Sequence, residues 1–155
     1  MKAGFEALLG SYSGSVLRTA PPLCGTIDQD VPGTAQGDWY HAGSPDSPED
    51  PHLALAHDNV VVSSGVFSSG TSIPGLQGLG TLLFSPAHSG RVQREFSEVV
   101  ADGNEYCYDS FTNLVGSILV LKMPDAFSLQ IEKQTAASCG AGPWTLSGAA
   151  VSFTR

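Results

Sequence analysis

Charge is scarce in this chain, and positive charge scarcest. Charged residues fill 14% of its 155 positions, with seven Lys and Arg against fifteen Asp and Glu, for a formal net charge of −8. So acidic a surface repels phosphate backbones and anionic headgroups, which excludes nucleic acid from the expected partners. No window of about 18 apolar residues occurs, so no membrane-spanning helix is expected. Residues 1–10 carry Glu6 and glycines where a secretory leader has an unbroken apolar run, so an exported form is expected to enter this sequence after its leader. Sustained helical periodicity and internal repeats are missing as well, and Phe5 to Leu9 offers at most one helical turn.

Cysteine is nearly absent. Cys24, Cys107 and Cys139 are an odd count, which allows at most one internal bond and excludes a disulfide-built scaffold. Cys107 and Cys139 are the expected pair, clipping a late loop to the sheet; the reduced, buried alternative stays open, because free cysteine is itself a buried residue type. Cys24 reads as an ordinary thiol or half a disulfide. None of the spacings resembles a zinc site.

What the chain has in quantity is turn residues, Gly 18 and Pro 10, between short runs of alternating apolar and polar side chains. From Phe127 to Ile131 every second residue is apolar, so Phe127, Leu129 and Ile131 are expected on one strand face and Ser128, Gln130 and Glu132 on the other, with Pro124-Asp125 as the preceding turn. Further strands are expected at His52–His57, Val60–Val62, Val66-Phe67, Thr81–Phe84, Arg91–Ala101, Asn104–Phe111 and within Trp144–Thr154, with Asp102-Gly103 as a hairpin turn. The proline-rich stretch 42–51 and the glycine-rich stretch 70–80 must be loops. Both faces of residues 118–123 are apolar, so the face turned away from the core needs cover from the N-terminal arm, a loop or a second subunit, the last making a homo-oligomer.

These signals predict an all-β chain, an antiparallel up-and-down β-barrel of about 8–10 strands, because an open sheet of that size must hide its edges. A Greek-key β-sandwich is the alternative. Residues 1–22 are expected to form an arm or cap and residues 23–155 a single barrel domain.

Gly37-Asp38-Trp39 at the start of the sheet and Arg155 at its end resemble the pattern of calycins, the lipocalins, fatty-acid-binding proteins and avidins. The resemblance implies a Gly-x-Trp opening the first strand and a late basic residue packed over the Trp ring where the barrel closes. It covers the frame of residues 37–155.

Chemistry-bearing groups are few. His57 shares a face with Leu53 and Leu55, placing it at the rim of the core, while adjacent His57 and Asp58 would point to opposite faces of a strand. Trp39 with His41, and Tyr106 with Tyr108, share faces too, and aromatic rings with polar tips suit a small-ligand pocket as well as a filled core. Trp39, His41, His57 and Tyr108 are therefore the candidate ligand-binding residues, with no catalytic residue expected. Asp46, Glu49 and Asp50 beside His52 match no calcium-loop spacing and read as a solvated acidic turn, so no metal is expected. Gly65–Gly70 fails the nucleophile-elbow spacing, and Gly75–Gly80 lacks the helix a phosphate loop needs, so no cofactor is expected. Arg91, Arg94, Glu95 and Glu98 read as a charged strand edge that deters aggregation.

The functional expectation is a non-catalytic barrel that binds a small apolar or amphipathic ligand or a protein partner. The alternatives are a cofactor-free isomerase or hydrolase with His57 or His41 as base, and a structural or interaction module of an exported protein. A periplasmic or extracellular location is favoured over a cytoplasmic one.

Overall fold

Alternation becomes eight strands in the computed structural model, which describes residues 4, 18–22, 25–26 and 28–155. They are β1 (Gly37–His41), β2 (Leu53–His57), β3 (Gly65–Ser69), β4 (Thr81–Phe84), β5 (Tyr106–Tyr108), β6 (Ser117–Asp125), β7 (Ser128–Thr135) and β8 (Val151–Thr154). All pair antiparallel in the order β4-β3-β2-β1-β8-β7-β6-β5. The fold is thus the expected all-β, up-and-down, nearly closed barrel, and the neighbour-to-neighbour order leaves no Greek-key crossover. The first and last strands meet at Tyr40 with Thr154 and His41 with Phe153. The remaining seam lies in mid-chain, between β4 and β5.

Residues 85–99 occupy that seam. Gln93 N donates to Cys107 O at 2.8 Å and Cys107 N to Arg91 O at 2.9 Å, so an irregular segment takes up the outer edge of β5. Asn113 Nδ2 donates to Leu79 O at 2.7 Å, anchoring the loop after β5 beside the start of β4.

Inward-facing residues fill the barrel. Leu53, Leu55, Phe67, Leu82, Leu119, Leu121, Leu129, Ile131 and Phe153 are all buried in one cluster. At its centre the Phe67 ring lies 4.9 Å from both Phe96 and Tyr108 and 5.7 Å from both Phe84 and Phe111, three edge-on contacts and, to Phe84, a tilted one, of the kind aromatic quadrupoles favour. Gly65 makes room for this stack, since a Cβ there would lie 2.2 Å from the Phe84 ring. Ile73 and Leu76 of the 70–80 loop, with Phe111 and Leu114, plug one end; Ala35, Phe96 and Val99 plug the other, where Ala35 N donates to Val99 O at 2.9 Å.

The outer face of β5 and β6 carries a second apolar cluster of Cys107, Ile118, Val120, Cys139 and Trp144. Of the three covers considered for this face, a loop is in place: a strap of residues 136–148. A Cys107–Cys139 disulfide staples it. Trp144 Nε1 donates to Cys139 O at 2.6 Å, Cys139 N donates to Asp109 Oδ2 at 2.7 Å, and the Arg91 guanidinium lies 5.5 Å over the Trp144 ring. Farther along, Ser147 donates through N and Oγ to Glu132 at 2.6 and 2.7 Å. Burial alone would raise the Glu132 carboxyl, but these bonds and one from Gln134 outweigh it and hold it below the usual range.

Several expectations are corrected. Phe127 is 69% exposed and lies in the β6–β7 turn, which is Ala126-Phe127 instead of Pro124-Asp125; β6 runs on to Asp125, whose carboxylate accepts from Phe127 N at 2.8 Å and so fixes the turn two residues late. Arg91–Ala101 forms no strand, because Glu95 caps a 3-10 turn over Phe96–Glu98 that carries Phe96 into the core. Asp102-Gly103 consequently joins no hairpin; its carboxylate instead ties down Asn104 and Tyr106 at the entry to β5. Val60–Val62 is an exposed turn, held by Asp58 Oδ1 accepting from Val60 N and Val61 N at 2.7 and 2.6 Å. Arg94 and Glu98 pair at 2.9 Å, yet Glu95 is buried, so this stretch is no charged strand edge. The helical turn at Phe5–Leu9 and Cys24 lie outside the described residues.

Candidate functional site

At the barrel end where β1 begins, the approach to β1 and the residue that follows β8 are clasped together. Gly37 has φ +131°, and a Cβ there would lie 2.1 Å from Asp30 Oδ1, so a side chain is excluded on both counts. Two residues on, Trp39 is buried, its Nε1 donating to Ala35 O at 2.8 Å. The Arg155 guanidinium stacks over its indole ring, 4.1 Å from the centroid, and donates to Val31 O and Gln36 O. Burial lowers the Arg155 guanidinium from its usual range while Asp30 and Asp38 oppose that shift. Both donors and the ring are committed to closure of the barrel.

Around the same end, His57 terminates β2. Its backbone exceeds the reach of β1, and the Gln29 side chain supplies the missing rung: His57 N donates to Gln29 Oε1 at 2.8 Å and Gln29 Nε2 to His57 O at 3.1 Å. The ring is bound on both sides, Nδ1 3.0 Å from Val62 O and Nε2 3.1 Å from Glu95 Oε1. A carbonyl only accepts, so Nδ1 donates to Val62 O, while Nε2 faces the Glu95 carboxyl. A general base needs a free nitrogen aimed at substrate. His57 has none, and its chemistry here is that of a latch joining β2 to the 3-10 turn in the seam. Asp58, its neighbour in sequence, faces the backbone of the next turn instead. Replacing Glu95 with Gln is expected to cost about 1–3 kcal/mol, the scale of a hydrogen bond with a charged partner. A double-mutant cycle with His57→Ala, read from urea midpoints, should assign most of that cost to the pair; additive losses would dissolve the latch.

The remaining candidates are engaged elsewhere. His41 Nδ1 lies 2.7 Å from Ser44 Oγ and the ring meets Phe153 edge-on at 5.8 Å. Tyr108 sits wholly inside the aromatic stack, its hydroxyl donating to Arg94 O at 2.9 Å, and burial with the nearby Glu95 carboxylate raises that phenol well above its usual range. Burial and the bond to Asp102 at 2.7 Å push the Tyr106 phenol up to about 12. Both folded-state shifts are upward, so their stabilising contribution is complete below the unfolded value of 10.0 and, for Tyr106, disappears as pH rises through about 12. A spectrophotometric titration should show these two phenols resisting ionisation until the barrel itself opens, with their own contribution to stability flat below pH 10.0 and that of Tyr106 lost toward about 12.

Two clefts border these residues. One, of about 360 Å³, lies at the end of β2 among Arg18, Asp28, Gln29, Gln36, His57 and Val62. The other, of about 440 Å³, lies on the outer face of β1–β3 under the 42–51 loop, bordered by Tyr40, Asp46, Glu49, Asp50 and His52. The His52 ring is tied to the backbone of His41 and Asp46 at 3.1 and 3.2 Å, and meets Tyr40 edge-on. Trp39 borders the second cleft and His57 the first, while Tyr108 borders neither, so the four candidates line no common cavity among those two. Among the described residues no group of three or more His, Cys, Asp or Glu is placed to hold a metal ion.

Gln29 and Asp30 are structurally decisive residues that sequence reading missed, and Glu95 is one that it read as part of a charged edge. Their partners lie far off in the chain or are backbone groups, and neither kind of pairing leaves a periodic trace. Comparison of the chain with protein-family models, with curated proteins and with solved structures yields no match, so its geometry stands as the guide to its function.

Proposed function

We propose that this chain is a non-catalytic, calycin-like β-barrel that acts by engaging a protein partner on its outer surface, in the periplasm or outside the cell. The observation that carries this reading is the occupied barrel axis: Phe67, Phe84, Phe96, Tyr108 and Phe111 fill the space that a ligand-carrying barrel keeps open, and side chains from both flanking loop sets plug its ends. The occupied nitrogens of His57 speak against a histidine base at that position. The Trp39–Arg155 stack favours the calycin comparison, and a buried disulfide favours an oxidising compartment.

A neutral hydrophobic fluorophore, N-phenyl-1-naphthylamine, separates the readings. The native protein should show no saturable uptake, whereas Phe67→Ala, or Leu121→Ala if the first variant folds poorly, should open space and take up the dye. Stoichiometric uptake by the native barrel would return the function to small-molecule carriage.

A further inference from the structure

Large apolar side chains exposed singly are ordinary on protein surfaces; their gathering at one end of a barrel is not. Of the eight exposed large hydrophobics among the described residues, Val60, Val61, Val62, Val100 and Phe127 lie in connections at the end where β1 begins, and Leu83 lies one residue from the end of β4 there. The topology places them around the rim of one end: β2 turns into β3 on one side, Val99 bonds Ala35 across it, and β6 turns into β7 on the far side.

Each tip is held outward by an aspartate. Asp58 accepts the amides of Val60 and Val61, and Asp125 accepts the amide of Phe127 and the hydroxyl of Ser128 at 2.5 Å. Those bonds hold the Asp125 carboxyl below its usual range, so it carries charge beside the exposed ring. Asp102 holds the connection that follows Val100 in the same way, through Asn104 and Tyr106. The cations nearby are engaged: Arg18 donates to Pro22 O and Asn59 O, Arg155 stacks on Trp39, and Lys122 pairs with Glu105 at 2.9 Å. The end of the barrel is therefore a set of apolar tips interleaved with carboxylates.

We propose that this end is the docking face, and that its partner is a protein presenting an apolar patch ringed by Lys and Arg. The proposal rests on the partner-binding reading above and names the surface. Charge decides between the possible occupants. A membrane rich in anionic lipid would be repelled by the same aspartates that a basic rim would pair with, and a second copy of this end would set aspartate against aspartate.

The test uses the full chain and a fluorescent, alternating Leu/Lys model peptide as probe, read by anisotropy. Native protein should bind it saturably, and binding should weaken at least tenfold in Val61→Ser/Phe127→Ser and again in 1 M salt. Val115→Ser, which alters an 89% exposed valine at the opposite end, should bind as the native protein does. Near-UV circular dichroism establishes that each variant is folded. Absent binding, equal binding by the double variant, or equal loss in Val115→Ser would overturn the proposal. So would capture by vesicles of phosphatidylcholine and phosphatidylglycerol, or a native dimer, that the double variant abolishes. Dye uptake by the native barrel would instead defeat the partner-binding reading, whatever the peptide does.

Discussion

Phe67→Ala is expected to lower the unfolding free energy by about 3–5 kcal/mol, the range for removing a fully enclosed aromatic ring. The effect should fall at the upper end. Phe67 is completely buried and touches four other rings, so its loss removes apolar area and four edge or tilted contacts together, and the surrounding strands are fixed by their ladders and cannot close the void. The control is Phe127→Ala: the same chemical change in an exposed turn residue should move stability by no more than about 0.5 kcal/mol. Urea unfolding of both variants settles the comparison. Near-equal midpoints would mean that the ring at position 67 does not organise the core.

Cys107→Ala/Cys139→Ala should cost about 3–4 kcal/mol on chain-entropy grounds, because the bond closes a separation of 32 residues in the unfolded chain. Alanine is the better probe than serine, since both sites are buried and a hydroxyl there would add an unrelated desolvation cost. The loss should concentrate in the strap. Trp144 packs on the outer cluster next to the bond, so its fluorescence should shift toward that of solvated indole well before the barrel strands unfold, and limited proteolysis should cut first within residues 136–148. If Trp144 and the barrel still unfold together, the strap is held by Glu132, Asp109 and the apolar cluster alone.

How far the sequence carries the reader depends on the range of the interaction. Leu53 with Leu55, Leu129 with Ile131 and Val151 with Phe153 are alternating pairs whose period states which face is buried, and all three pairs face the barrel interior. Phe127 continues the same alternation and yet is exposed, because periodicity carries no mark of where a strand stops; the stop is written in Asp125, whose carboxylate holds the Phe127 amide. The segment 91–101 reads as extended from its composition, and is bent by a cap at Glu95 that only its distant partner His57 explains. Gln29 is hardest of all to foresee, since it completes a sheet rung with a side chain in place of a backbone. The placement of Arg155 over Trp39 is what the resemblance to calycins implies, a late basic residue packed over the Trp of the first strand.

That closure also sets how the molecule would answer mechanical load. β1 enters and β8 leaves at the same end of the barrel, and they share only two register positions, Tyr40 with Thr154 and His41 with Phe153. Tension applied through the two ends of the barrel sequence would strip these strands apart one rung at a time, beginning at the Arg155 clasp. The mid-chain seam and its disulfide-stapled neighbourhood would be the last to feel the force.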